Sequence, residues 1–125
     1  MKIIARSELA VSHLPGRDIQ KAVGADSSSL SNKMTVGFAY YSAQIGPMEP
    51  HHHAEETVFI VDAVQGWVEF GEDKENLTHR VPLEKGMILH IPEMEWHAFR
   101  CAPDGFVDII FIYGQVDNIR PEEKR

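Results

Sequence analysis

From Lys33 onward the chain is a succession of short apolar runs, and none continues far enough to become an amphipathic helix. KMTVGFAYYSAQI, TVFIVDAV, GWVEFG, LTHRVPL, GMILHIP, HAFRC and FVDIIFIYG are rich in β-branched and aromatic residues, which suit a pleated, half-buried surface. Gly, Pro, Asn or Asp separates most of them, and GEDKEN supplies turn chemistry ahead of LTHRVPL. Strands this short and frequent predict an all-β sandwich or barrel. The polar stretch GADSSSLSNK, residues 24–33, reads as a long loop, and RSELAVSHLPGRDIQKAVG before it allows a helical turn over Ser7 to Ala10. At 125 residues the chain fits one domain, 1–125, with N-terminal strands within 1–33, a core over about 34–113 and a frayed charged tail at 118–125.

Two of the runs are apolar on both faces. Alternation along FVDIIFIY sets Asp108, Ile110 and Ile112 on one side and Val107, Ile109, Phe111 and Tyr113 on the other. GMILHI has the same character. Soluble monomers rarely expose large apolar patches, so another part of the chain or a second copy must cover these strands, and a homodimer is expected.

Charge narrows the partners. A formal net charge of -7 and a pI near 5.4 argue against nucleic acid or an anionic membrane surface, since both reward clustered Lys and Arg. The apolar runs are too short to span a bilayer. MKIIARSELAV lacks the apolar core and small-residue cleavage site of a signal peptide, and the single cysteine, Cys101, leaves no internal disulfide. The expectation is a cytoplasmic protein that handles a small molecule.

One stretch stands apart. MEPHHHAEETVFIV, from Met48 to Val61, sets three histidines and two glutamates at the head of an apolar run. In extended backbone His51 and His53 share a face and His52 takes the other. Two imidazoles with a nearby carboxylate, Glu55 or Glu56, supply part of a site for a first-row metal. The alternative is a solvated turn with local His–Glu pairing. A second segment, GMILHIPEMEWHAF, changes the balance: a glycine turn enters a strand, a proline ends it, and His97 opens the next strand, where it can complete a ligand set.

The two segments together resemble the cupin superfamily, over roughly residues 34–113. Gly86, Pro92 and His97 stand at the spacings of the second cupin motif, while Met94 and Cys101 replace its second glycine and its asparagine. Gly46, His51, His53, Glu56 and Gly66 look like the first motif, with irregular spacing after His53 and after Glu56. A register using His52, or a site using Glu55, stays open. The resemblance implies a double-stranded β-helix (jelly-roll) barrel with a divalent ion, Fe, Mn, Ni or Zn, held by His51, His53, Glu56 and His97. It also implies an enzyme acting on a small polar organic molecule by dioxygenase, isomerase or lyase chemistry. The other readings are a non-catalytic ligand-binding or sensor module, and a dimer whose metal only stabilises the fold.

Further residues have two readings each. His90 either lines the pocket or faces outward, and Cys101 either reaches the cavity or packs as a small hydrophobe. One of Tyr40 and Tyr41 should face inward. Trp96 is expected to pack, and His13 and His79 to lie on the surface.

Overall fold

The structure, a computed structural model, describes residues 1–116. The tail expected at 118–125 lies outside the described residues. A 3-10 turn at Arg6–Glu8 precedes eight strands: β1 Ser12–Leu14, β2 Arg17–Gly24, β3 Ser29–Leu30, β4 Thr35–Ser42, β5 Glu56–Gly71, β6 His79–Pro82, β7 Ile88–Ile91 and β8 Trp96–Tyr113. The helical turn expected near Ser7 is this 3-10 turn, and β3 interrupts the expected loop by pairing with the end of β2.

Four expected strands are two long ones. TVFIVDAV and GWVEFG join as β5, HAFRC and FVDIIFIY join as β8, and the pair runs antiparallel from Glu56↔Tyr113 to Gly71↔Trp96. Register shifts between Ile60 and Asp62 and between Val64 and Gly66 take up the bend, with Gln65 at a φ of 49°. The first adds one residue to β5, a bulge that bends the ladder without ending it, and the second sets residues 102–105 of β8 against Gln65 alone. Gly66 answers a steric need at the same place, because a Cβ there would lie 2.4 Å from Val107 Cγ2.

This hairpin organises the core. Val58, Ile60, Val107 and Ile109 from one half of the ladder are almost fully buried, and they cluster with Val68 and Phe99 from the other half. Ala39, Tyr41 and Leu83 complete the same cluster. Burial of a side chain of this size contributes roughly 1.5–3 kcal/mol, so these six ladder residues are a main source of stability.

The hydrogen-bonded strand order is β1-β2-β4-β8-β5-β6, with β3 on β2 and β7 on β5, which resembles a jelly-roll arrangement. The closed double-stranded β-helix barrel implied by the resemblance is not formed. The path has two free ends, β1 and β6, and they do not pair with each other. Closure requires tilt and stagger that bring the first and last strands together. Here the end strands have three and four residues, all exposed, and Pro82 removes one donor from β6.

The N-terminal segment covers part of the outer face of β4 and β8. Arg6 donates two hydrogen bonds to the Asp108 carboxylate, at 2.8 and 2.7 Å, and its guanidinium lies 4.3 Å from the Phe38 ring centroid. Leu9 is buried beside it in sequence, and Lys2 donates to the Ser28 carbonyl. Part of the face of FVDIIFIY that seemed to need a second copy is therefore covered by the chain itself. On β7, by contrast, Ile88 remains 63% exposed. No helix among the described residues is long and apolar enough to cross a membrane.

Candidate metal centre

The histidine segment is not a strand but a loop sewn onto the start of β8. His51 N–H donates to the His97 carbonyl at 3.1 Å, and His97 N–H donates back to the His51 carbonyl at 3.0 Å. Met94 N–H donates to the His53 carbonyl at 3.0 Å, and Arg100 donates to the carbonyl of buried Met48. Backbone pairing of this kind fixes the two segments against each other regardless of side chain.

The side chains then converge. His51, His53 and His97 are all buried, and ligand-capable atoms of the three lie within 4.8 Å of one another. Glu56, the first residue of β5, places Oε1 3.4 Å from His53 Nε2 and 3.8 Å from His97 Nε2. Each ring is oriented from behind by a carbonyl: His53 Nδ1 lies 2.8 Å from Ala54 O, His97 Nδ1 2.9 Å from Glu95 O, and His51 Nδ1 3.4 Å from Glu49 O. A proton on Nδ1 satisfies each carbonyl and leaves the Nε2 lone pair facing the cluster, as metal-ligating histidines are held. His97 Nε2 is the one buried side-chain nitrogen or oxygen without a hydrogen-bond partner among the described residues. Two donors of one ion at about 2.0–2.2 Å stand roughly 3–4 Å apart, so the spacing of this group is slightly wider than that of a loaded site. Three imidazoles in this arrangement suit a divalent first-row metal.

Burial shapes the protonation states. Desolvation lowers His97 to about 4 and His51 to about 2, the neighbouring histidines adding to the shift of His51. Desolvation also raises Glu56 to about 8, against the opposing effects of the Tyr113 hydroxyl and of Arg17. Burial therefore favours the neutral forms of His51, His97 and Glu56.

Comparisons with known proteins come from structure alone, since no family model and no curated protein matches the chain. A protein from Planctomyces limnophilus superposes with a TM-score of 0.73 at 18% identity, covering 96% of this chain and 94% of that one. The polyketide cyclase RemF from Streptomyces resistomycificus gives 0.70 at 17% identity, over 95% of this chain and 82% of its own. Fe(II)-HppE with an alternative substrate gives 0.68 at 17% identity, over 90% of this chain and 60% of its own. The fold is cupin-like. At these identities the likeness concerns the fold.

The cupin-like frame explains one departure from the motif. Met94, where the second motif carries glycine, has a φ of 71°, a left-handed conformation that a side chain adopts only at a cost of roughly 1–2 kcal/mol. Its bond to His53 O and the 3.3 Å approach of His52 Nδ1 to its carbonyl hold it there.

The structure also separates the residues that sequence left as alternatives. His52 turns away and stacks on Trp96, with centroids 3.8 Å apart. Glu55 pairs with His90 at 2.5 Å on the exposed surface, so neither joins the cluster. Tyr41 is the inward tyrosine, and Tyr40 stacks on Phe106. Cys101 is half-buried and lines a different hollow, beside Gly46 and Met48. His13 pairs with Asp18 at the surface, and exposed His79 stacks on Phe70.

Sequence reasoning missed two residues of the site. Tyr113 pairs with Glu56 across the ladder, its hydroxyl 3.3 Å from His53 Nε2 and hydrogen-bonded to the Glu56 carboxyl. Burial raises its pKa, so it keeps its proton. The signal existed: alternation had placed Tyr113 with inward Val107, Ile109 and Phe111. Arg17, at the start of β2, lines the same cavity of about 320 Å³ as the three histidines. Nothing in its local sequence marks it.

Proposed function

We propose that this protein is a metal-dependent enzyme acting on a small polar organic molecule, with a divalent ion, Fe, Mn, Ni or Zn, held by His51, His53, His97 and Glu56. The observation that carries the reading is His97 Nε2, buried and unpartnered at the centre of carbonyl-oriented histidines. A bound divalent ion supplies Lewis acidity, an activated water or, if redox-active, oxygen chemistry. The chain's own residues do the rest. The carbonyls of Glu95, Ala54 and Glu49 fix the rings, and Phe99 and Phe111 limit water in the cavity. Glu56 would hold the ion in its deprotonated form, and the Tyr113 hydroxyl, which keeps its proton, could donate to a ligand oxygen. Catalysis is supported over a purely structural ion by similar structures named for small-molecule chemistry, the cyclase and the substrate-bound Fe(II) protein.

The reading includes a homodimer, supported by exposed Ile88 and Val81 on the β7 and β6 side, and a cytoplasmic location, supported by the lone free cysteine. Metal analysis of the purified protein, followed by an unbiased metabolite screen of the Fe(II)-, Mn(II)-, Ni(II)- and Zn(II)-loaded forms, tests the function. Turnover should appear with one ion and vanish in His97→Ala. Light scattering at micromolar concentration tests the dimer, and a persistent mass near 14.1 kDa overturns it.

A further inference from the structure

The cavity of the three histidines also holds two cations, Arg17 and Lys21, both from β2. Alternation puts them on the same face as Ile19, which packs against the core, so this is the interior face of the strand. Lys21 is at the rim and already has a counter-ion, Asp26 Oδ2 at 3.6 Å. Arg17 has none. Its single hydrogen bond is a long one, 3.4 Å to the Pro15 carbonyl, and it forms no ion pair among the described residues. Its charge nevertheless reaches the site, where it acts on Glu56, His51, Tyr41 and Tyr113.

An acidic chain, with a net charge of -7, thus sets an arginine that forms no ion pair among the described residues in the wall of the cavity beside its histidine cluster. A half-buried cation without a partner is poorly solvated, and a carboxylate matches the planar guanidinium fork with two parallel hydrogen bonds. A divalent ion with a single carboxylate ligand would leave the interior positive before Arg17 is counted, and low-dielectric walls focus that field on an incoming anion. A neutral sugar or phenol makes no use of it. The volume, about 320 Å³, lies at the small end of ligand sites.

We propose that the ligand of this cavity is a small organic acid and that Arg17 receives its carboxylate. This deepens the metal-enzyme reading above and rests on it. The test uses full-length protein loaded with Co(II), whose visible spectrum reports ligand entry. Wild type, Arg17→Gln and Arg17→Lys are titrated with acetate, lactate, malonate and succinate and with the matching amides. At least one acid should bind wild type tenfold or more tightly than its amide, and Arg17→Gln should narrow that acid-to-amide ratio about tenfold, each variant being titrated at full Co(II) loading. Arg17→Lys, which keeps the charge without the fork, should fall between. If no acid outbinds its amide, or the margin survives in Arg17→Gln, the assignment of Arg17 is overturned while the metal site stands. If wild type takes up no Co(II), the metal reading itself fails and this inference with it.

Discussion

Two cavities meet at His97. The one of about 320 Å³ is lined by the histidines, Glu56, Tyr113 and Arg17, whereas the other, about 400 Å³, is walled by Val68, Leu83, Met87, Leu89 and Ile91 from β5 to β7. Register explains the contrast. Glu56 has Tyr113 beside it on β8 and Ile91 beside it on β7, so the same row of the sheet is polar toward one neighbour and apolar toward the other. The larger void holds no converging set of donors, and volume alone is a poor guide to where chemistry happens.

Substitutions on the two sides of His97 should separate these roles. His97→Ala removes a ligand and should weaken metal binding by a hundredfold or more, on the order of 3 kcal/mol, while backbone pairing keeps the fold; unchanged affinity by calorimetry would break the assignment. Leu83→Ala, in the apolar wall, should cost about 2–4 kcal/mol in urea unfolding yet leave metal affinity alone.

Proton competition gives a finer test. Glu56 titrates near 8 in the fold, and both His97, near 4, and His51, near 2, are already neutral well below that. Metal affinity should therefore rise about tenfold per pH unit up to about 8 and then level, and Glu56→Gln should flatten the slope. The metal-free protein behaves differently. Between 4.5 and 8 the fold keeps a Glu56 proton that the unfolded chain has lost, so this group makes stability fall as pH rises. Below 6.5 the unfolded chain protonates both histidines while the fold resists, so they make stability fall as pH drops. Two protons outweigh one, and melting of the metal-free form should be highest near pH 6.5. A maximum above pH 8 would contradict these assignments.

Smaller effects are expected at the margins. Met94→Gly relieves a left-handed side chain and should stabilise the protein by up to about 1 kcal/mol in thermal unfolding. Glu55→Gln disrupts only an exposed pair with His90 and should change metal affinity less than twofold; a large loss would restore Glu55 as a ligand.

Much of this was legible from residue order, and the exceptions have physical causes. Alternation favoured His51 and His53 over His52 without closing the choice, since it presumed a strand where the chain forms a loop, and the motif spacing pointed to His97. The merging of four runs into β5 and β8 was hidden, because the break in register that sets residues 102–105 against Gln65 looks like a pair of turns when the pairing is unknown. Closure was misjudged for a related reason: it depends on whether the end strands are long enough to meet, and β1 and β6 are not. Tyr113 and Arg17 reach the site through cross-strand register and through β2, which no local pattern announces.

The paired hydrogen bonds between His51 and His97 involve main-chain atoms only. The socket is thus assembled by the polypeptide before any occupant arrives, and loading it requires no refolding. A prebuilt socket of imidazoles and one carboxylate discriminates weakly among neighbouring first-row ions. If the proposed ion is bound, its identity in a cell would follow from supply, and exchange of one for another would be governed by access through the cavity mouth.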